Sequence, residues 1–229
     1  MKLEFIHIKL LIKRLLLALA LFTLCRLIFL IYNYPIFNNY PAGVLISTFF
    51  YGLRFDLSTV LYLNAFFFLL HILPLPLRSH RVYQGTLAIL FIAANAIGAM
   101  FELGDTAYFK FSHKRLTSDF FSVLKDFGDQ LFSYIATFWY LVIVFLLLIW
   151  ALSIVYRRFT MPASFRKTRI GIQTLIMLPL VGLFIIGARG GLQYRPISPI
   201  TALQYVDAPL SPLVFNTCFS IGTSYQMKG

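Results

Sequence analysis

Few side chains in this sequence are able to do chemistry, and their spacing says more than their number. Eight Asp and Glu residues and four histidines are spread over 229 positions. The histidines, His7, His71, His80 and His113, fall in different flanks and runs of the chain and are not expected to converge on one metal. No HExxH, GxSxG or glycine-rich phosphate loop occurs. A hydrolytic metal centre needs several carboxylate or imidazole ligands beside a nucleophile. Residues 189–229 supply one carboxylate, Asp207, and no histidine. The expectation is a chain with no catalytic residue, cofactor or metal of its own.

What remains is a set of charges and amides inside or beside apolar runs. Arg26 follows Leu15 by enough residues to lie about 16 Å into such a run at helical rise. An ionised group at that depth is costly and faces the protein interior. Its expected partner is Asp56 or Glu102, either as a pair that keeps helices in register or as a site where the cation meets a lipid phosphate. Asn64 and His71 share a helix face, Asn95 lies on another run, and all three are expected to make interhelical hydrogen bonds. A proton relay would need carboxylates at mid-depth, whereas Asp56, Glu102 and Asp105 stand at the ends of runs. That disfavours a pump or small transporter.

The elements that must position these groups follow from composition. Hydrophobic residues make up 59% of the chain and charged residues 12%, with a mean hydropathy of +0.80. A soluble domain carries about a quarter charged residues. The expected fold is all-α and polytopic: five transmembrane helices at Leu15–Tyr32, Asp56–Leu75, Val82–Phe101, Ile135–Tyr156 and Ile170–Ala188, each about the length a 30 Å hydrocarbon core requires. Residues 33–55 are expected to lie at the interface as a loop, the apolar VLISTFFYGL being too short to cross. From Thr117, apolar residues at Phe120, Phe121, Leu124, Phe127, Leu131 and Phe132 predict a short amphipathic interfacial helix.

The net charge of +12 would suggest nucleic acid in a soluble protein. Here the basic residues border apolar runs, where they set orientation and meet anionic headgroups, so no nucleic-acid partner is expected. Lys2, Lys9, Lys13, Arg14, Arg78, Arg81, Arg157, Arg158, Arg166, Lys167 and Arg169 fall on one side, and every acidic residue except Glu4 on the other. The N-terminus is therefore expected inside and the segment from Arg189 outside. The domain division is a five-helix unit, 1–188, and an extracytoplasmic connector, 189–229. Pro196, Pro199, Pro209 and Pro212 predict that this connector is extended and hugs the surface. Cys25 and Cys218 form neither a CxxC pair nor a disulfide framework.

Three segments together carry a family resemblance. YGLRFDLSTVLYLNAFFFLLHILP (51–74), FELGDTAYFKFSHKRLTSDFFSVL (101–124) and RGGLQYRPISPITALQYV…PLVFNTCFSI (189–221) resemble, in order, the membrane half of lipoteichoic-acid-synthase-like proteins. These are bacterial phosphoglycerol transferase/sulfatase membrane proteins of the alkaline phosphatase superfamily. The resemblance covers about residues 43–221. Cys218 stands where that family is expected to have proline after Asn-Thr. The resemblance implies a multi-pass protein of the bacterial cytoplasmic membrane whose five helices precede an extracytoplasmic catalytic domain. It implies that this domain carries a Thr or Ser nucleophile and a divalent metal of the manganese type, and moves a headgroup from a phospholipid to a glycolipid or glycan. None of those residues lies in the present chain, which looks like the membrane module alone.

Within the module the resemblance draws attention to Arg54 and Asp56, Glu102 and Asp105, and Arg189 and Arg195. Two readings stand open. Arg54–Asp56 and Arg189–Glu102 are ion pairs that anchor the connector, or the arginines beside glycines take a phospholipid headgroup. The expected partners are membrane phospholipids and a catalytic domain in the same longer chain or in a separate subunit. The alternative is a free-standing, non-enzymatic scaffold, which a connector folded back on the bundle would favour.

Overall fold

The structure is a computed structural model describing residues 6–120, 136–159 and 170–226, and all described secondary structure is helical. Helix α1 (Ile6–Tyr32) is followed by the short α2 (Tyr34–Phe37), then α3 (Ala42–Leu63), α4 (Ala65–Ile72), α5 (Arg81–Ser112), α6 (Trp139–Arg157) and α7 (Ile170–Ala188). Shorter helices follow among the described residues: α8 (Pro199–Ala202), a 3-10 turn at Ala208–Leu210, α9 (Ser211–Val214) and α10 (Thr217–Gln226). Five of these, α1, α3, α5, α6 and α7, are long and apolar enough to cross a membrane.

The long helices alternate in direction. The start of α1, the end of α4, the start of α5, the end of α6 and the start of α7 share one end of the bundle, here the near end. α1 packs on α3 and α5, α6 on α5 and α1, and α7 on α3. Phe22, Val60, Phe67 and Phe91 sit in one core, where Phe91 stacks on Tyr156 and Phe68 on Phe184 at 4.9 and 4.3 Å. Gly98 lets this core close, because a Cβ there would lie 2.6 Å from the Phe22 ring.

Two sequence expectations are overturned. Residues 42–55 are the first half of α3, not an interfacial loop. Arg54 and Asp56 looked like a boundary because charges are expensive in a span, yet both find partners inside the protein. The helix stops instead at Asn64, whose amide donates to the Val60 carbonyl at 2.9 Å before α4 resumes the course. Second, the connector is not extended. Pro199, Pro209 and Pro212 each occupy the first turn of a short helix, where a missing N–H costs nothing. Ile197, Ala202, Leu210, Leu213 and Val214 are buried, and α9 and α10 lie on α3.

The fifth span matches its expected bounds, while α1 begins earlier and α5 ends later than expected. The amphipathic helix expected from Thr117 falls mainly on residues 121–135, outside the described residues. At 32 residues, α5 is about 48 Å long, so it outruns a 30 Å hydrocarbon core. That extra length carries Glu102 and Asp105 beyond the apolar part of the helix.

Candidate functional site

At the far end, three helices and the returning connector enclose a cluster of buried charges. Arg26 comes from α1, Asp56 from α3, and Glu102 and Asp105 from α5, three residues apart and therefore on one face. All four are buried. Arg26 pairs with Asp56 and donates to the Gly52 carbonyl at 3.0 Å. Gly52 makes room for this: a Cβ there would fall 1.0 Å from Arg26 Nη1.

Arg115 supplies the second cation. His113 adopts a left-handed conformation, φ 52°, and ends α5 with its N–H on the Phe109 carbonyl. This reversal carries Arg115 back over the helix, where its guanidinium carbon lies 3.7 Å from the Phe29 ring centroid. Arg115 Nη1 donates to Asp105 Oδ2 at 2.8 Å and stands 3.5 Å from Glu102 Oε2. Arg115 Nε donates to the Pro212 carbonyl at 2.8 Å.

The start of α10 takes further acceptors of the cluster. Asn216 Nδ2 donates to Asp56 Oδ1 at 2.8 Å, while Asn216 Oδ1 accepts from the Phe219 amide at 2.9 Å as the helix cap. Glu102 Oε1 accepts from the amides of Thr217 and Cys218 at 2.7 and 3.2 Å. Thr217 Oγ1 lies 3.1 Å from Glu102 Oε2 and 2.9 Å from Asp105 Oδ2. A carboxylate facing the unpaired amides of a helix N-terminus is electrostatically favoured. Burial, then the Glu102 carboxylate, holds the Cys218 thiol well above its usual pKa, so it is a poor nucleophile.

The other arginines form a separate group. Arg54 donates through Nε to the Gly190 carbonyl, through Nη2 to Gln193 Oε1 at 2.7 Å and through Nη1 to the Tyr205 hydroxyl at 2.6 Å. Arg189 Nη2 donates to the Tyr194 carbonyl at 2.8 Å. Gly190 and Gly191, φ 77° and 136°, turn the chain at the end of α7. Arg195 is exposed. The Arg54–Asp56 and Arg189–Glu102 pairs are not formed. Residues two apart on a helix do not face each other, and Glu102 is occupied by Arg115 and α10. Beside this group an open groove of about 400 Å³ is lined by Ser47, Tyr51, Gln204, Tyr205 and Asp207 among others, with Tyr51 and Tyr205 stacked at 4.8 Å.

The structure thus brings Arg26, Asp56, Glu102 and Asp105 together and sets Arg54, Arg189 and Arg195 apart. Arg26–Asp56 is one of the two pairings expected from the sequence. Asn64 and Asn95 exchange hydrogen bonds at 2.9 and 3.3 Å as expected. Sequence reasoning missed Gly52, Arg115, Asn216 and Thr217. Asn216 and Thr217 lie 160 and 115 positions from Asp56 and Glu102, Arg115 reaches Asp105 only through the turn at His113, and Gly52 signals only as the small residue of the GLRFD segment. Among the described residues no group of three or more His, Cys, Asp or Glu is placed to hold a metal ion. Glu102, Asp105 and Asp56 Oδ1 are engaged by arginines, amides and hydroxyls, while Asp56 Oδ2 is buried without a hydrogen bond beside the Arg26 guanidinium. The chemistry of the cluster is that of a clamp. No protein-family model matches the chain, and no curated protein or solved structure does.

Proposed function

We propose that this chain is the membrane domain of a bacterial phospholipid-headgroup transferase of the phosphoglycerol transferase/sulfatase type. It anchors and positions an extracytoplasmic catalytic unit. On this reading α1, α3 with α4, α5, α6 and α7 cross the membrane, the near end is cytoplasmic, and residues 189–226 form a platform on the outer face. The activity class rests on the resemblance of residues 51–74, 101–124 and 189–221, and the docking of 216–218 onto Asp56, Glu102 and Asp105 supports the positioning role. Three buried carboxylates are spent on fixing the connector rather than on substrate chemistry, which suits a mount that must hold a partner at a set height and angle. Arg195, exposed beside the docked loop, is the residue of this set best placed to meet a headgroup.

The fold-back of the connector also favours the second reading, a partner subunit for a separately encoded enzyme. Purification from source-cell membranes through an antibody against the Lys114 loop distinguishes the two, using labelled phosphatidylglycerol to assay the eluate. A band well above 26 kDa with headgroup transfer gives the single-chain enzyme. A 26 kDa band that co-purifies transfer with a second polypeptide gives the subunit. No transfer in either form overturns the proposal.

A further inference from the structure

Two buried cations at the near end have no part in this reading. Arg14 of α1 is 2% exposed and its guanidinium carbon lies 4.4 Å from the centroid of the Tyr156 ring of α6. Its hydrogen-bond partners are neutral. Nη2 donates to Gln84 Oε1 at 2.9 Å and to the Phe159 carbonyl at 3.0 Å, and Nη1 lies 3.3 Å from His71 Nδ1. Arg14 Nε and the Tyr156 hydroxyl are buried and make no hydrogen bond. The Gln84 amide passes on to the Arg78 carbonyl at 2.7 Å. The Arg78 guanidinium, also buried, reaches Gln173 Oε1 at 2.7 Å and the Ile72 carbonyl at 2.6 Å. Burial lowers the Arg78 pKa only to about 10, so it remains a cation at neutral pH.

Orientation rules explain the exposed Lys9, Lys13, Arg81, Arg157 and Arg158 around this end. They do not explain the Arg14 guanidinium withdrawn from water, which is costly unless an anion accompanies it. The described carboxylates, Asp56, Glu102, Asp105, Asp119 and Asp207, all belong to the far end. At the near end, Arg14 Nε and the Tyr156 hydroxyl are two donors with no acceptor, beside a second positive charge.

We propose that the near end binds a phosphate group, with Arg14 as its main ligand, the Tyr156 hydroxyl as a second donor and Arg78 as the neighbouring charge. A phosphate offers several anionic oxygens at once, which matches the planar fork of a guanidinium together with a phenol. Its oxygen replaces the Phe159 carbonyl on Arg14, exchanging a neutral acceptor for a charged one. An anionic phospholipid of the adjoining leaflet and free inorganic phosphate present the same oxygens.

The test is thermal unfolding of the full chain in phosphatidylcholine vesicles, compared with vesicles that also contain phosphatidylglycerol, and with phosphatidylcholine vesicles plus inorganic phosphate. High salt throughout screens the exposed cations. A saturating ligand is expected to raise Tm by about 5 °C. A gain with phosphatidylglycerol alone identifies a lipid phosphate, and a gain with inorganic phosphate identifies a free one. Arg14→Gln is expected to abolish the gain, Tyr156→Phe to weaken binding about tenfold while preserving the ring under Arg14, and Arg157→Gln to leave it intact. If Arg14→Gln does not fold, the Tyr156→Phe titration decides. No gain in wild type from either phosphate source overturns the proposal, as does a full gain retained in Arg14→Gln or unchanged affinity in Tyr156→Phe. Glu4 lies outside the described residues. If Glu4→Gln lowers Tm in phosphatidylcholine as much as Arg14→Gln does, the counter-ion is internal and the proposal fails.

Discussion

The two ends of this bundle bury arginine in opposite ways. At the far end Arg26 and Arg115 sit among three carboxylates, and each touches at least one. At the near end Arg14 is surrounded by an amide, a carbonyl, an imidazole and an aromatic face. A buried ion pair is a poor source of net stability, but breaking it strands a charge. The far end is therefore a lock that loss of any one part weakens. The near end is a positive site closed by neutral groups that a better acceptor can displace.

The comparison is broken most sharply at Gly52. Gly52→Ala drives a methyl into Arg26 Nη1, so the guanidinium must leave Asp56. The expected loss is about 3–5 kcal/mol, a fall in Tm of about 10 °C. Gly43→Ala on the same helix, with nothing near its Cβ, is expected to change Tm little. Differential scanning fluorimetry in detergent reads both.

Removing one arginine from each end sharpens the contrast. Arg26→Met leaves Asp56 buried without its cation and is expected to cost about 3–5 kcal/mol. Arg14→Met strands no carboxylate among the described residues, and in membranes free of anionic phosphate is expected to cost less than half as much. Equal losses would mean that the two ends are held alike.

A smaller effect isolates the connector. Glu102→Gln preserves shape but removes the charge facing the α10 amides, an expected loss of about 1–2 kcal/mol. In intact spheroplasts the wild-type chain is expected to resist protease between Val206 and Phe215, and the variant to be cut several-fold faster.

The loop arginines give the smallest change in stability. Arg195→Ala is expected to stay within about 0.5 kcal/mol of wild type, because the side chain is exposed. Under the proposed function it lowers headgroup transfer while membrane insertion is unchanged. Arg54→Ala instead frees Gln193 and Tyr205 and loosens the loop, so its effect on transfer comes with a measurable fall in Tm.

How much of this was legible in the sequence depended on whether a residue's environment is local. The bounds of α7 could be read because its apolar run lies between a basic linker and Arg189. The Arg26–Asp56 pair was one of two foreseeable choices, because a lone cation deep in an apolar run demands an anion. The start of α3 is hidden for the same reason: Arg54 and Asp56 read as marks of water, yet both find partners within the protein. Arg14 reads as one more flanking cation, since nothing in its neighbours along the chain shows that it turns inward onto Tyr156. Arg115 reaches Asp105 only through the left-handed turn at His113, a conformation rare for a residue with a side chain. Thr217 meets Glu102 across 115 positions, which no period records.

Hydrogen exchange at the Thr217 and Cys218 amides tests the lock most directly. Both donate to Glu102 Oε1 although they open a helix, where first-turn amides have no intrahelical acceptor and exchange readily. The account predicts protection comparable to the middle of α5 in the wild-type chain and its loss in Glu102→Gln. Rapid exchange at both amides in the folded wild type would show that the connector is not clamped to the bundle.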